Sequence, residues 1–212
     1  MKDTNQQKFW QSDFGKEYTE RNRYEPKALD EFYKKTWGVT RTEMNKDFLS
    51  GLSLDAILEV GANIGNQLAQ LQGQGFGKQL YGIEIQRDAV EKAKSFTSGI
   101  DIIQGSAFDL PFKDLYFDMV FTSGVLIHIS PDDVKTAIRE MYRTSKRYIW
   151  GFEYFAETYT DIEYRGNKGF LWKANFPKLF LDTFSDLKLV KEKKYKYVDN
   201  DNVDVMYLLE KA

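Results

Sequence analysis

The chain has 212 residues, which suits one α/β domain with an N-terminal addition rather than two full domains. Its 30 Lys and Arg against 32 Asp and Glu leave a formal charge of −2. That balance lacks the concentrated basic face that duplex binding needs, so no nucleic-acid partner is expected. Cysteine is absent, which excludes disulfides, thiolate metal sites and cysteine nucleophiles, and no metal site is expected. Residues 1–8 are polar, without the apolar run of a signal peptide, and no apolar stretch approaches the ~20 residues that cross a bilayer. A cytoplasmic protein without a membrane partner is therefore expected.

Residues 1–50 carry no convincing strand. Phe9, Trp10, Phe14 and Tyr18 recur at helical spacing, and so do Leu29, Phe32 and Tyr33. Thr40 followed by Glu43 forms a capping-box pattern that opens a third helix ending near Gly51. This predicts a helical extension over residues 1–50, placed to act as a lid on a domain spanning residues 51–212. From Asp55 onward the pattern alternates between strand and helix. Strands are expected at 56–60, 79–85, 101–104, 117–122 and 147–152, with helices at 66–71 and 88–96 between them. Ser130-Pro131-Asp132-Asp133 has the composition of a helix start, with a Ser cap, Pro in the first turn and acids at the positive end of the dipole. Segments 187–197 and 204–210 read as a terminal hairpin turning across 199–202. Such repetition builds a mostly parallel sheet covered on both faces, with an antiparallel edge added by the hairpin.

In an open parallel sheet the ligand sits beyond the C-terminal strand ends, so the exit of the first strand is the place to look. It reads Glu59-Val60-Gly61-Ala62-Asn63-Ile64-Gly65-Asn66. A dinucleotide fingerprint needs glycine at the first, third and sixth positions of this turn, and Asn63 and Asn66 break it at two of the three. What remains is E-x-G-x-x-x-G, with Asn63 within it, a residue that tolerates left-handed backbone better than most. The second strand, Tyr81-Gly82-Ile83-Glu84-Ile85, ends in an acid placed to accept hydrogen bonds from both hydroxyls of a ribose. Further on stands Gly105-Ser106-Ala107-Phe108-Asp109-Leu110-Pro111-Phe112, and after the fourth strand Ser123-Gly124-Val125-Leu126-Ile127-His128-Ile129-Ser130-Pro131.

These motifs resemble those of the class I S-adenosylmethionine (SAM)-dependent methyltransferases. The resemblance implies a Rossmann-like fold with a seven-stranded, mostly parallel sheet, and SAM as cofactor. It implies that Glu59 with Gly61, Asn63 and Gly65 faces the methionine part, Glu84 and Ile85 the ribose, Ser106 and Ala107 the adenine, and that Ser123 lies beside the methyl donor. Family members usually carry a third glycine where Asn63 stands and an acid where Ser106 stands. His128, the only histidine, is either a base for the acceptor or a group that bonds a loop carbonyl and shapes the pocket.

Beyond these motifs, the chain from about residue 9 to 180 resembles the methylases associated with pseudaminic acid biosynthesis. The likeness lies in Phe9-Trp10, Phe14-Gly15, Tyr18 and Arg21-Asn22, in residues 124–129, and in Glu153-Tyr154, Tyr164-Arg165-Gly166 and Gly169. It implies a small-molecule acceptor, a nonulosonate-type sugar or its activated precursor in surface-glycan biosynthesis. Tyr rings stack on sugar faces and an Arg fork suits a carboxylate, so Glu153, Tyr154, Tyr164 and Arg165 are candidate acceptor residues. For Tyr164-Arg165-Gly166 an ordinary surface turn is an equal alternative. Tyr18, Arg21 and Asn22 are either part of a lid over an acidic sugar or one face of an amphipathic helix.

Overall fold

The structure is a computed structural model that describes residues 3–212. It opens with four helices, α1 (Asn5–Gln11), α2 (Asp13–Arg21), α3 (Pro26–Trp37) and α4 (Arg41–Leu49). The aromatic stripe from Phe9 to Tyr18, which reads as one helix in sequence, breaks at Ser12. That hydroxyl accepts the Phe14 N–H at 3.3 Å and starts a second helix at an angle to the first. The Thr40–Glu43 capping box forms as its spacing predicts, with Thr40 Oγ1 accepting from Glu43 N at 3.1 Å and Glu43 Oε2 from Thr40 N at 2.8 Å.

The strands and helices that follow are β1 (Ala56–Val60), α5 (Asn66–Gly73), β2 (Gln79–Glu84), α6 (Arg87–Phe96), β3 (Ile100–Gln104), β4 (Phe117–Ser123), α7 (Val134–Thr144) and β5 (Ser145–Tyr154). After them come the short pair β6 (Thr160–Asp161) and β7 (Trp172–Lys173), then α8 (Phe176–Thr183), β8 (Leu187–Lys196) and β9 (Val203–Lys211). The seven-stranded sheet runs β3-β2-β1-β4-β5-β9-β8. Strands β1 to β5 are parallel, and the terminal hairpin enters so that β9 pairs antiparallel with both β5 and β8.

Both faces of the sheet are covered, which is why its central strands are near-continuous apolar runs. Leu29, Tyr33, Met44, Phe48 and Leu68 from α3 to α5 pack against Ile57, Met119, Phe121 and Trp150. Opposite them, Ile138, Met141, Phe176 and Phe180 from α7 and α8 pack against Leu58, Val120 and Ile149. Helices α3 and α4 thus belong to the core, while α1 buries none of its residues and α2 only Gly15 and Thr19. Of residues 1–50, the part that roofs rather than fills is α1 with α2.

One local expectation changes, and one segment without an assigned element gains structure. Ser130 does not cap α7: its hydroxyl bonds the Asp133 carboxylate at 2.8 Å and its carbonyl accepts from Val134 N, so residues 130–133 form a turn ahead of the helix. The segment 155–186, too irregular to read in sequence, holds the β6–β7 pair and α8.

Gly151 on β5 stands opposite Tyr207 on β9, and a Cβ at this position would overlap the buried Tyr207 ring. Gly151→Ala is expected to lower unfolding free energy by roughly 1–3 kcal/mol, the range for overpacking a filled site. Urea denaturation followed by circular dichroism reads this directly. An unchanged midpoint would mean that the β5–β9 seam has room to spare.

Candidate functional site

A cleft opens beyond the C-terminal ends of β1 and β4, where the strand order turns back on itself. Its empty volume is about 1120 Å³, solvent at the mouth included. The turn after β1 forms its floor. Gly61, Asn63 and Gly65 take φ values of 79°, 50° and 90°, all left-handed. A Cβ on Gly61 would come within 2.5 Å of Val125, so this position requires glycine for space as well as for backbone. Gly61 and Asn63 line the cleft, whereas Gly65 caps α5 and shapes the turn without facing it.

Glu84 fixes this turn against the second strand. Its Oε2 accepts the Asn63 N–H and its Oε1 the Gln86 N–H, both at 2.8 Å. Each oxygen keeps a further lone pair. Burial pushes the Glu84 carboxyl above its ordinary range, opposed by these N–H donors. Ile85 lines the cleft beside it.

Glu59 is 2% exposed, and its Oε2 has no hydrogen-bond partner. Burial drives its carboxyl well above the usual carboxylate range, with the Arg41 charge pulling the other way. Arg41 is invisible as a site residue in sequence. It is fully buried, stacked over Trp150 at 4.9 Å and over Tyr33 and Phe152 at 5.3 Å, with Nη1 donating to the Tyr33 hydroxyl at 3.2 Å.

At the other end, Ser106 and Ala107 line the cleft with Gln7 and Phe108. Ser106 Oγ accepts from Gln7 Nε2 at 3.0 Å and from Phe108 N at 3.1 Å. Both hydroxyl lone pairs are thereby taken, so Ser106 cannot accept from an exocyclic amine as its position suggests; it can only donate. Sequence reading missed Gln7, whose glutamine-in-a-capping-box pattern is a signal of helix start and not of a site.

His128 lies on the cleft wall at the end of a 3-10 turn, with Ser123 below it. Its Nδ1 is 2.8 Å from the Phe170 carbonyl, which can only accept, so the proton sits on Nδ1 and Nε2 is left with its lone pair. Burial lowers the His128 pKa to about 4, so the ring is neutral near pH 7. Trp10 stands edge-on to it at 4.6 Å and Tyr164 is tilted at 5.2 Å; Phe14 meets Tyr164 at 5.6 Å and Phe9 meets Phe170 at 4.3 Å. Tyr18 from α2 and Asn22 at the cap of its C-terminal end complete the lining on the roof side.

The other candidate acceptor residues lie elsewhere. Arg21 is exposed and pairs with Glu17 at 3.3 Å on the outer face of α2. Arg165, φ 51°, forms with Gly166, φ 80°, the tip of a tight turn closed by reciprocal Tyr164–Asn167 backbone bonds; it is the exposed turn. Tyr164 stands behind His128 without lining the cleft. Glu153 is 1% exposed and points into the core, where it accepts from Val125 N at 3.1 Å and Ile127 N at 3.4 Å and so holds the loop that carries His128. Burial raises its pKa to about 7. Tyr154 packs on Tyr197, with Lys173 over its ring, also away from the cleft. Strand alternation explains both: β5 turns these side chains toward the sheet faces, and a strand-end position alone does not say which way a residue points. Among the described residues no cluster of three or more His, Asp or Glu could hold a metal ion, and no helix is long and apolar enough to cross a membrane.

Residues 58–148 match the family described as a methyltransferase domain. A methyltransferase of Staphylococcus carnosus is 29% identical over 120 residues, covering 54% of this chain and 56% of that protein. The O-methyltransferase resE of Aspergillus sclerotiorum is 31% identical over 117 residues, covering 51% of this chain and 43% of that one. The chain therefore spans about half the length of these curated relatives. In fold it is similar to the 1,6-didemethyltoxoflavin-N1-methyltransferase of Burkholderia thailandensis, with a TM-score of 0.71 at 13% identity over 100% of this chain and 92% of that one. The architecture is the Rossmann-like fold of class I methyltransferases.

Because His128 is the single histidine, its imidazole can be followed without assignment. NMR titration is expected to show a neutral ring protonated at Nδ1, unchanged from pH 8 to pH 5 and titrating near pH 4. The depressed value means that protonation favours the unfolded chain, so stability falls as pH drops from the free-histidine range toward about 4. A midpoint at the ordinary 6.5 would show that the ring is solvated and the Phe170 bond absent.

Proposed function

We propose that this protein is a SAM-dependent methyltransferase acting on an oxygen or nitrogen atom of a small molecule. The observation that carries this reading is the bridged turn: Glu59 with a vacant carboxylate oxygen, the left-handed Gly61–Asn63 backbone, and Glu84 tying that turn to the end of β2. The chemistry of these donors fits SAM part by part. Glu59 suits the ammonium of the methionine moiety, and the spare lone pairs of Glu84 suit the two ribose hydroxyls. Ser106 donates at the adenine end, and the backbone of Ala107 lies beside it. When bound, SAM supplies an electrophilic methyl on a sulfonium.

The chain's own work is then alignment and exclusion of water. Neutral His128 offers Nε2 as an acceptor for the proton of the attacking hydroxyl or amine, its ring fixed by Phe170 and wedged between Trp10 and Tyr164. Relatives with this domain or fold include an O-methyltransferase and an N1-methyltransferase of a small heterocycle by name, which supports a small acceptor without choosing the atom.

For the acceptor we propose a sugar, or an activated sugar precursor, of surface-glycan biosynthesis. In support, the three separate segments that resemble the nonulosonate-associated methylases come together in one aromatic cluster of Phe9, Trp10, Phe14, His128 and Tyr164, which presents Trp10 and His128 to the cleft as ring surface for a sugar face. Among the described residues no Lys or Arg lines the cleft. The charges of Arg21 and Arg165 act on the Tyr164 hydroxyl of this ring cluster, and an acidic group on the acceptor would be matched by these. By the same reading the enzyme works in the cytoplasm.

Calorimetry with SAM, its demethylated product and NAD is expected to show micromolar binding of the first two only. Glu84→Ala should weaken SAM affinity by roughly 1.5–3 kcal/mol, the range for a charged hydrogen-bond partner. Tight NAD binding would overturn the cofactor assignment, and an unchanged SAM affinity in the variant would remove Glu84 from the site. In a product assay over acidic and nucleotide sugars, His128→Ala should lower turnover ~10²-fold with little change in SAM binding. Equal turnover would leave His128 a purely structural group.

A further inference from the structure

Two positions depart from the usual methyltransferase pattern, Asn63 for glycine and Ser106 for an acid, and both side chains reach the helical roof. Asn63 Oδ1 accepts the Ile64 N–H at 2.8 Å, which fixes the amide so that Nδ2 points upward and donates to Thr19 Oγ1 on α2 at 3.1 Å. Thr19 is 2% exposed. Ser106 accepts from Gln7 on α1, whose own Oε1 is held by Thr4 N at 2.8 Å so that its NH₂ faces Ser106. A third contact is two-sided: Asn66 Nδ2 donates to the Asn22 carbonyl at 2.6 Å, and Asn66 Oδ1 accepts from Tyr24 N at 3.3 Å. Between these latches α2 sits so close to Gln86 that a Cβ on Gly15 would come within 2.7 Å of its side chain.

We propose that Asn63, Asn66 and Ser106 are positioning residues that latch α1 and α2 onto the cofactor loops, so that roof closure and cofactor retention are one linked equilibrium. This rests on the SAM reading given above. The physical case is that the roof has little apolar burial of its own, with no buried residue in α1 and two in α2. The rings of Phe9, Trp10 and Phe14 seat it against Phe170, His128 and Tyr164, whereas over the loops the cofactor would touch its hold is through polar contacts. Asn63 carries the linkage most directly. Its N–H is held by Glu84 while its side chain holds Thr19, so one residue reports the state of the floor to the roof. Trp10 and Tyr18 line the cleft from this same roof. The acceptor wall is thus completed after the cofactor loops are ordered, which makes cofactor-first binding the favoured order.

The test uses substitutions compatible with the local backbone. Asn63→Gly keeps the left-handed turn and the N–H to Glu84 and removes the side chain, with the Thr19 latch and the Ile64 N–H contact; Thr19→Val isolates the latch. Thr19→Val removes the opposite partner at constant volume, and Thr19→Ser retains the hydroxyl. Stopped-flow dissociation of S-adenosylhomocysteine is expected to quicken about three- to tenfold in Asn63→Gly and in Thr19→Val, the worth of one hydrogen bond. The double variant should be no faster than the single ones, and Thr19→Ser should keep the parent rate. Deuterium exchange of residues 13–24, measured without cofactor, should accelerate in the first two variants. Unchanged exchange would overturn the latch. Faster exchange with unchanged dissociation, or effects that add independently, would overturn its linkage to the cofactor. Failure of the parent protein to bind SAM or its product would instead overturn the cofactor reading, and the linkage with it.

Discussion

Everything in the cleft depends on one buried carboxylate serving two loops. Glu84 stands at the end of β2, and its two oxygens accept N–H groups from opposite sides, Asn63 in the turn after β1 and Gln86 at the start of α6. The parallel β1–β2 ladder brings the strand ends side by side, and Gly82 lets them approach, since a Cβ there would meet Ala62 at 2.7 Å. A buried acid is tolerated only with such donors around it. The same donors set the loop that carries Asn63, and through Asn63 the constraint passes to the roof.

The cleft is built as two acidic points on a neutral surface. Glu59 and Glu84 are the acidic lining groups among the described residues, and both are raised by burial, Glu59 with Arg41 held in an aromatic cage behind it. A cationic ligand end placed against Glu59 would be matched where an anionic one would be repelled. Around His128 the surface changes to rings and a single nitrogen lone pair, a place for alignment rather than for strong acid–base chemistry. The histidine loop is held from below by Glu153, an acid that serves by accepting backbone N–H groups and not by meeting a ligand.

Much of this was legible in the chain because it is local. The strand–turn–helix from Ile57 to Leu68, the acid ending the second strand, the capping box at Thr40 and the terminal hairpin each depend on residues a few positions apart. The acceptor side was not legible in the same way. Tyr164, Arg165, Glu153 and Tyr154 share a sequence neighbourhood yet end up behind the histidine, on a turn tip, in the core and beside Tyr197. Arg41 and Gln7 carry no local signal at all: a cation opening a helix and a glutamine in a capping box become part of the site only through packing.

The sequence by itself determined the open α/β sheet and the left-handed turn after β1 with the acids beside it, since short-range spacing sets backbone conformation and strand-end position. Only the tertiary structure decided which side chains face the ligand and which departures from the usual motif matter. Asn63 and Ser106 are substitutions in a turn and a loop when read in line. Folded, they are the contacts of a roof some 44 and 99 positions away along the chain. The reason is physical: the backbone of a turn is fixed by its own residues, but a side-chain amide or hydroxyl takes its role from whichever partner the fold delivers within about 3 Å.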